Sequence, residues 1–397
     1  MPKSKKAKQT IIINTEIGGF ATADRPTPAH HKIMARYASP LLNGPPKSDD
    51  LLEMVCHMYT EEEAELVKHL PIFRPRTAEK IAEKSGRSLA DVKRIMDHLA
   101  LDKKVVLASG SPRKYTILPI VPGTFEMALM TNDLKTRTVW HQKFAQIFER
   151  IWESEYMKSY DKNSVALVRA LPVQKLAPTL QQAWPSDKLE EVLDHYDDFG
   201  LTHCQCRQTT DMMGQGCGKP MENCASFGAM VKPLVERGMM RRVDKAEMIA
   251  VKKDAEENGL VTWVMNAGTD VRGNGSCSCC GCCCHALRTV NELSVPGLIS
   301  RPHFMPEKNN ELCTSCGKCI KACPMGSWSQ FGPRMHFDRV RCIGCGLCVV
   351  ACKAGALGLA PYEEADVPEK DYTSLLLKSA PGFIYNTVSV FARRLFR

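Results

Sequence analysis

Eight cysteines between Glu311 and Leu357 stand at spacings that suit iron–sulfur ligation. Cys313, Cys316, Cys319 and Cys323 form a C-x2-C-x2-C-x3-C run followed by Pro324, and Cys342, Cys345, Cys348 and Cys352 form a second. Three thiolates spaced by two residues can wrap one set of irons on a tight loop. The fourth, one helical turn further on, points away and ligates the other cluster. That logic assigns Cys313, Cys316, Cys319 and Cys352 to one cluster, and Cys342, Cys345, Cys348 and Cys323 to the other. Gly317, Gly344 and Gly346 would let backbone N–H groups approach inorganic sulfide. Zinc sites usually pair two separated C-x2-C units instead of doubling a four-Cys run.

A second cysteine-rich stretch runs from His203 to His285. It holds Cys204, Cys206, Cys217 and Cys224, then, after a pause, Cys277, Cys279, Cys280, Cys282, Cys283 and Cys284. Ten cysteines exceed what packing requires, and so many free thiols would be prone to oxidation. All ten are therefore candidate metal ligands, for one or two further iron–sulfur clusters or for zinc. His203 and His285 flank the runs and read as surface residues or as donors to the ligands, with direct ligation, which would raise a cluster's potential, as the other reading. Arg207 could offset cluster charge or pair with a carboxylate. Cys56 lies alone in an apolar helical face and reads as a small buried hydrophobe.

Residues 311–357 resemble the bacterial-type dicluster ferredoxins. The resemblance implies two [4Fe-4S] clusters and a pseudo-twofold wrap, with Lys353 standing where the first run has Pro324. From about Ser186 to Leu357 the chain is similar to iron–sulfur proteins of anaerobic prokaryotes, in which a C-x-C-R run, two further Cys and a C-x-C-C-G-C-C-C run precede such a domain. That likeness implies an electron carrier or a subunit of a redox complex, without a defined reaction. Cys279-Cys280-Gly281 is also similar to the CCG motif of heterodisulfide-reductase-type domains, but the long spacing from that motif to a C-x-x-C is absent.

The 397-residue chain is long enough for two to four domains, and its 44% hydrophobic residues suit a globular protein. Of its 19 Cys, only Cys56 precedes Cys204. Met1 to Gln9 is polar and Lys-rich with no apolar core of a signal peptide, and no run is long enough for a spanning helix. Clustered Cys without an export signal point to metal sites in a reducing, cytoplasmic setting. The formal net charge of +9 permits an anionic partner without demanding one.

The elements that must position these residues follow in order. Residues 1–50, with a Lys run at Lys3 to Lys8, read as an arm that orders only against another surface. In 51–120, Leu51 to Tyr59 reads as a helix, and Thr60 with Glu63 caps a second. Thr77 caps Ala78 to Lys84, Gly86 stops it, and Ser88 caps Leu89 to Leu101, whose apolar face is Leu89, Val92, Ile95, Met96 and Leu99. Val105 to Ala108 and Tyr115 to Leu118 read as a hairpin. This order resembles a winged helix-turn-helix domain, which implies DNA binding or protein docking. Lys93 and Arg94 on the second helix are matched by Asp91 and Asp97, a poor balance for phosphate contact.

Residues 121–160 read as a linker, ending near Thr131, and a helix from Thr136 to Tyr156 whose stripe, Trp140, Phe144, Ile147, Phe148 and Ile151, suits a core or a dimer seam. In 161–300, Val165 to Leu171 and Leu260 to Val264 read as strands, and Asp187 to Tyr196, Ala225 to Arg237 and Lys245 to Glu257 as helices. The last of these carries a capping box at Asp244 and Glu247 and a stop at Gly259. After the dicluster region, 301–360, come an acidic loop, Glu363 to Asp371, and an amphipathic helix. Its stripe is Ile384, Val388, Phe391 and Leu395, with Arg393, Arg394 and Arg397 near its end, suited to docking or to peripheral membrane contact.

The fold class expected is α+β and multidomain: a winged-helix-like N-terminal domain, an α/β Cys-rich middle module and a ferredoxin-like dicluster domain. No nucleotide-binding or nucleophile motif is present. The expected function is iron–sulfur electron transfer with a redox partner protein or complex. Two alternatives are a reductase whose middle centre acts on a disulfide or small substrate, and a redox-responsive DNA-binding regulator.

Overall fold

The computed structural model describes residues 10–40, 43–72, 74–163, 165–180, 187–267, 274–332 and 334–395. The Lys3 to Lys8 run, Arg397 and the side chains of Arg393, Arg394 and Leu395 lie outside the described residues. The chain divides into two compact units. One comprises Met1–Ser159, Gln208–Gly216 and Ala380–Arg397, and the other Tyr160–Arg207 and Cys217–Ser379.

In the first unit, α1 (Pro28–Tyr37), α2 (Asp49–Met58) and α3 (Glu61–Val67) precede β1 (Arg76–Thr77), α4 (Ala78–Ser85) and α5 (Leu89–Asp97). The expected capping box holds α3: Thr60 Oγ1 accepts from the Glu63 N–H at 3.2 Å, and the Glu63 carboxylate accepts from the Thr60 N–H at 2.8 Å. Thr77 and Ser88 cap α4 and α5, and Gly86 ends α4 in the left-handed region. β2 (Leu107–Ser109) and β3 (Lys114–Thr116) form the expected hairpin, shorter than the sequence pattern suggests, and β1 adds to β3. α6 (Phe125–Leu129) and α7 (Val139–Ile151) follow, with Phe125 stacked on Phe148, and the unit also takes in Gln208–Gly216 and Ala380–Arg397.

Several expectations need correction here. The segment 10–50 is no bare arm: Ile11, Ala29, His30, Ile33 and Tyr37 are buried, and the Asp211 carboxylate accepts from the N–H groups of Thr10 and Ile11. The expected linker contains α6, whose Phe125, Ala128 and Leu129 are core residues. The long helix stops regular winding at Ile151, and Ser154 leaves helical geometry. Its apolar stripe is fully buried within the unit. Leu89, expected on the apolar face of α5, is exposed because it sits in the first turn.

The second unit is built on a six-stranded antiparallel sheet. Its elements are β4 (Val168–Ala170), α8 (Leu189–Leu193), β5 (Phe199–His203), α9 (Gln205–Met212), β6 (Glu222–Phe227), α10 (Val231–Val235), β7 (Arg241–Val243), α11 (Lys245–Glu257), β8 (Val261–Met265), β9 (Asn274–Cys279) and α12 (His285–Asn291). α9 belongs to this unit only up to Arg207. The strand order is β4-β8-β9-β6-β5-β7. Leu189, Val192, Leu193, Phe199, Leu201, Phe227, Val243 and Met248 form one core cluster against the sheet. Each such side chain contributes about 1.5–3 kcal/mol through burial. α11 matches its expected bounds, with Asp244 accepting from the Glu247 N–H at 2.8 Å and Gly259 left-handed just past its end. Ala225 to Phe227, expected in a helix, belongs to β6, where pairing with β5 and β9 overrides local propensity.

The dicluster region follows. β10 (Phe304–Lys308) pairs with β13 (Leu357–Pro361), and β11 (Trp328–Phe331) with β12 (Arg334–Phe337). Between them lie two short helices, α13 (Lys318–Ala322) and α14 (Leu347–Ala351). The chain closes with α15 (Tyr372–Leu395). In α15 Phe383, Asn386 and Val390 are buried, whereas Ile384, Val388 and Phe391 of the expected stripe are exposed. Asn386 Nδ2 donates to Ser159 Oγ at 2.8 Å. Among the described residues no helix is long and apolar enough to cross a membrane.

Candidate metal centres

The dicluster region repeats one device twice. A left-handed glycine, Gly317 or Gly346, caps a one-turn helix that begins between the second and third Cys of each run. Cys313, Cys316 and Cys319 line a cavity that Cys352 of the other run completes. Cys342, Cys345 and Cys348 line another, completed by Cys323. Backbone amides reach the sulfurs: the Gly344 N–H donates to Cys342 Sγ at 3.4 Å and the Ser327 N–H to Cys323 Sγ at 3.3 Å. Thiol donors, glycine turns and amides aimed at sulfur fit an iron–sulfur group.

The two cavities differ in exposure. Cys316 is exposed, whereas Cys345 and Cys348 are buried. Burial pushes the Cys342 thiol up to about 12, Cys348 to about 11 and Cys345 well above its ordinary value. At Cys316 the Lys318 N–H lowers the thiol pKa instead.

The sheet of the second unit gathers the other ten cysteines into two groups. Cys217, Cys280, Cys282 and Cys283 place their sulfurs within 4.8 Å of one another. Cys217 and Cys280 are 3.9 Å apart, and Cys282 and Cys283 3.8 Å. A tetrahedron of sulfurs about 2.3 Å from one ion has edges of about 3.8 Å. This group is therefore collapsed to the size of a single tetrathiolate ion. Among the described residues no other set of three or more potential ligands is so tight.

The remaining six are Cys204, Cys206, Cys224, Cys277, Cys279 and Cys284; Cys206 and Cys224 hold the Cys204 thiol well below its ordinary pKa, and Cys224 and Cys279 do the same to Cys277. Cys277 and Cys279 share one face of β9 because strand side chains alternate, Cys224 comes from β6, and Cys204 and Cys206 flank the start of α9. Cys284 caps α12.

Two residues beside these cysteines, Trp263 and Lys252, were not legible as site residues, whereas His285 and Arg207 were. Trp263 Nε1–H donates to Cys279 Sγ at 2.8 Å. Lys252, fully buried on α11, donates to the carbonyls of Asn223 and Ser276 and to Ser278 Oγ. Its position with Met248 and Ala255 on the helix's inner face is the sequence signal that could have found it. His285 Nδ1 lies 3.2 Å from Cys206 Sγ. Arg207 is buried too, with Nη1 donating to the Ser278 carbonyl at 3.0 Å and lying 4.0 Å from Cys280 Sγ. Burial opposes its charge, but the thiolates of Cys204, Cys280, Cys224 and Cys279 outweigh that and hold its pKa above the ordinary value.

The dicluster region and the sheet meet at a glycine. A Cβ on Gly281 would lie 1.9 Å from the Pro324 carbonyl oxygen, so only glycine lets the two backbones approach. Asn291 Nδ2 bridges the same place, donating to the carbonyls of Gly281 at 3.2 Å and Pro324 at 3.0 Å. Arg341 holds Asn291 Oδ1 at 3.0 Å. Gly281 lies between Cys280 and Cys282, and Pro324 follows Cys323.

A family model described as a 4Fe-4S dicluster domain matches residues 312–357. No curated protein matches the chain, and no solved structure matches it. The chain thus carries a 4Fe-4S dicluster domain together with a Cys-rich group that could hold a further metal centre.

Proposed function

We propose that the chain is an iron–sulfur electron-transfer protein, a subunit or partner of a cytoplasmic redox complex in an anaerobic cell. Cys313, Cys316, Cys319 and Cys352 would hold one cluster, and Cys342, Cys345, Cys348 and Cys323 the other. When bound, the clusters supply one-electron chemistry. The chain's own residues set the order of access. Exposed Cys316 turns the first cavity towards an external partner, while buried Cys345 and Cys348 turn the second inward.

The observation that carries this reading is the contact of Gly281 with Pro324. It brings the turn after Cys323 against the backbone between Cys280 and Cys282, so the inner dicluster cavity and the tetrathiolate group are joined by a direct backbone contact. Asn291 and Arg341 clamp that contact. The charges on α5 favour protein docking over duplex binding by the first unit. Lys93 pairs with Glu79, Arg94 with Asp91, and Arg113 of the hairpin with Asp97, which leaves few uncompensated cations for phosphate.

The test is rapid-freeze EPR of the full chain after mixing with a limiting one-electron reductant. The expected result is reduction of the dicluster domain followed by a change at the middle-module metal, with a longer delay in Gly281→Val. A middle-module metal whose spectrum stays constant while the dicluster domain is reduced overturns the relay.

A further inference from the structure

We propose that Cys217, Cys280, Cys282 and Cys283 bind one thiophilic metal ion, iron or zinc, as a mononuclear tetrathiolate centre, and that no iron–sulfur cluster forms there. The number of ions held is independent of whether they change oxidation state, so the count stands apart from the electron relay.

Distances separate one ion from a cluster. All four sulfurs lie within 4.8 Å of one another, with Cys217 3.9 Å from Cys280 and Cys282 3.8 Å from Cys283. Four thiolates about 2.3 Å from one ion stand about 3.8 Å apart. In a cubane each thiolate points outward from its own iron, which spreads the four sulfurs to about 6 Å. The dicluster domain supplies the comparison within the same chain. Its cysteines line cluster-sized cavities, and among the described residues none of them belongs to a group so tight. The surroundings of the four also resist spreading. Cys280 and Cys283 are buried in one apolar cluster with Ala255 and Leu260, and Gly281 between the ligands is held against the Pro324 carbonyl.

The site is built from two places in the chain. Residues 281–283 form a turn after β9, closed by the Cys284 N–H donating to the Cys280 carbonyl at 3.2 Å. Cys217 arrives from 63 positions before Cys280. The loop that carries it is tied down by Lys219, whose Nζ donates to the carbonyls of Asn258 at 2.5 Å and Gly259 at 3.3 Å. An ion shared by the four thiolates joins these two segments, as a structural ion does. A divalent ion takes the four sulfurs as thiolates, releases their protons to solvent and leaves the centre negative. Buried Arg207 stands beside that charge, with Nη1 4.0 Å from Cys280 Sγ and donating to the Ser278 carbonyl at 3.0 Å. Cys282 is exposed and gives the ion a way in.

The experiment is native mass spectrometry of the anaerobically purified full chain, with iron, zinc and acid-labile sulfide counted on the same samples, for the parent chain, Cys217→Ser and Cys282→Ser. The expected result is loss of one metal ion per chain in each variant, with sulfide unchanged and the fold retained by circular dichroism. Loss of several irons together with sulfide, or loss of no metal, overturns the mononuclear centre. Should the variants fail to fold, the parent chain still decides. A [4Fe-4S] cluster adds iron and sulfide equally, so at least one metal ion in excess of sulfide supports the proposal and equal counts overturn it. The element lost keeps this result distinct from the relay. A single zinc supports the mononuclear centre and takes this group out of the electron path, whereas irons lost with sulfide end the mononuclear centre and leave the relay standing.

Discussion

At the scale of single residues, the structure turns on positions that carry no metal-binding atom. Gly281 is one. Substitution by Ala forces the Pro324 carbonyl or the Cys280 backbone to move, because the new Cβ would stand 1.9 Å from that oxygen. The expected outcome is a lower unfolding midpoint and slower electron exchange with the middle module, while the EPR spectrum of the reduced dicluster domain stays unchanged. Lys252 is another. Lys252→Met keeps the length but removes the donor to two buried carbonyls and to Ser278 Oγ, which costs about 1–3 kcal/mol by urea unfolding. The same variant should retain less metal in the middle module, since one of the two buried cations influenced by its cysteines is gone. Unchanged stability and metal content would show that Lys252 is not bound to its surroundings as the structure has it.

At the scale of elements, helix signals in the sequence were strong where capping chemistry is local. The Thr60–Glu63 box, the Ser88 cap, and Asp244 with Gly259 each specify a boundary from neighbouring residues alone. Strands were less legible. β9 reads N-G-S-C-S-C, residues with little strand preference, and exists because β8 and β6 pair with it from both sides. The alternation of Cys277 and Cys279 was the one local hint. The cysteine spacing gave the dicluster pattern at once, since its ligands lie within two short runs. The gathering of Cys217 with Cys280, Cys282 and Cys283 was hidden, because Cys217 stands far from the other three in the chain.

Packing in the first unit also carries a pH dependence that belongs to its helices. His57 on α2 stacks on Trp140 of α7, its Nε2 2.9 Å from the Trp140 carbonyl, and burial lowers its pKa to about 4. Burial likewise lowers His141 of α7. With folded values below the unfolded value of about 6.5, the unfolded chain binds more protons as pH falls. Stability is therefore full above about pH 6.5 and is lost progressively towards pH 4, by about 3 kcal/mol for His57 alone. Thermal unfolding from pH 7.5 to 4.5 should show this decline, and His57→Gln should flatten it. A curve with no slope in that window would contradict neutral burial of these imidazoles.

At the scale of the whole molecule, a 4Fe-4S dicluster domain is appended to a Cys-rich antiparallel sheet within one compact unit, and a mainly helical unit completes the chain. The most direct test of the central claim is an EPR-monitored potentiometric titration of the anaerobically purified full chain. The account predicts two one-electron iron–sulfur species from the dicluster domain, one altered by Cys316→Ser and the other by Cys345→Ser. A chain that binds only zinc, or that yields no reducible iron–sulfur signal across the accessible range of potentials, would contradict it.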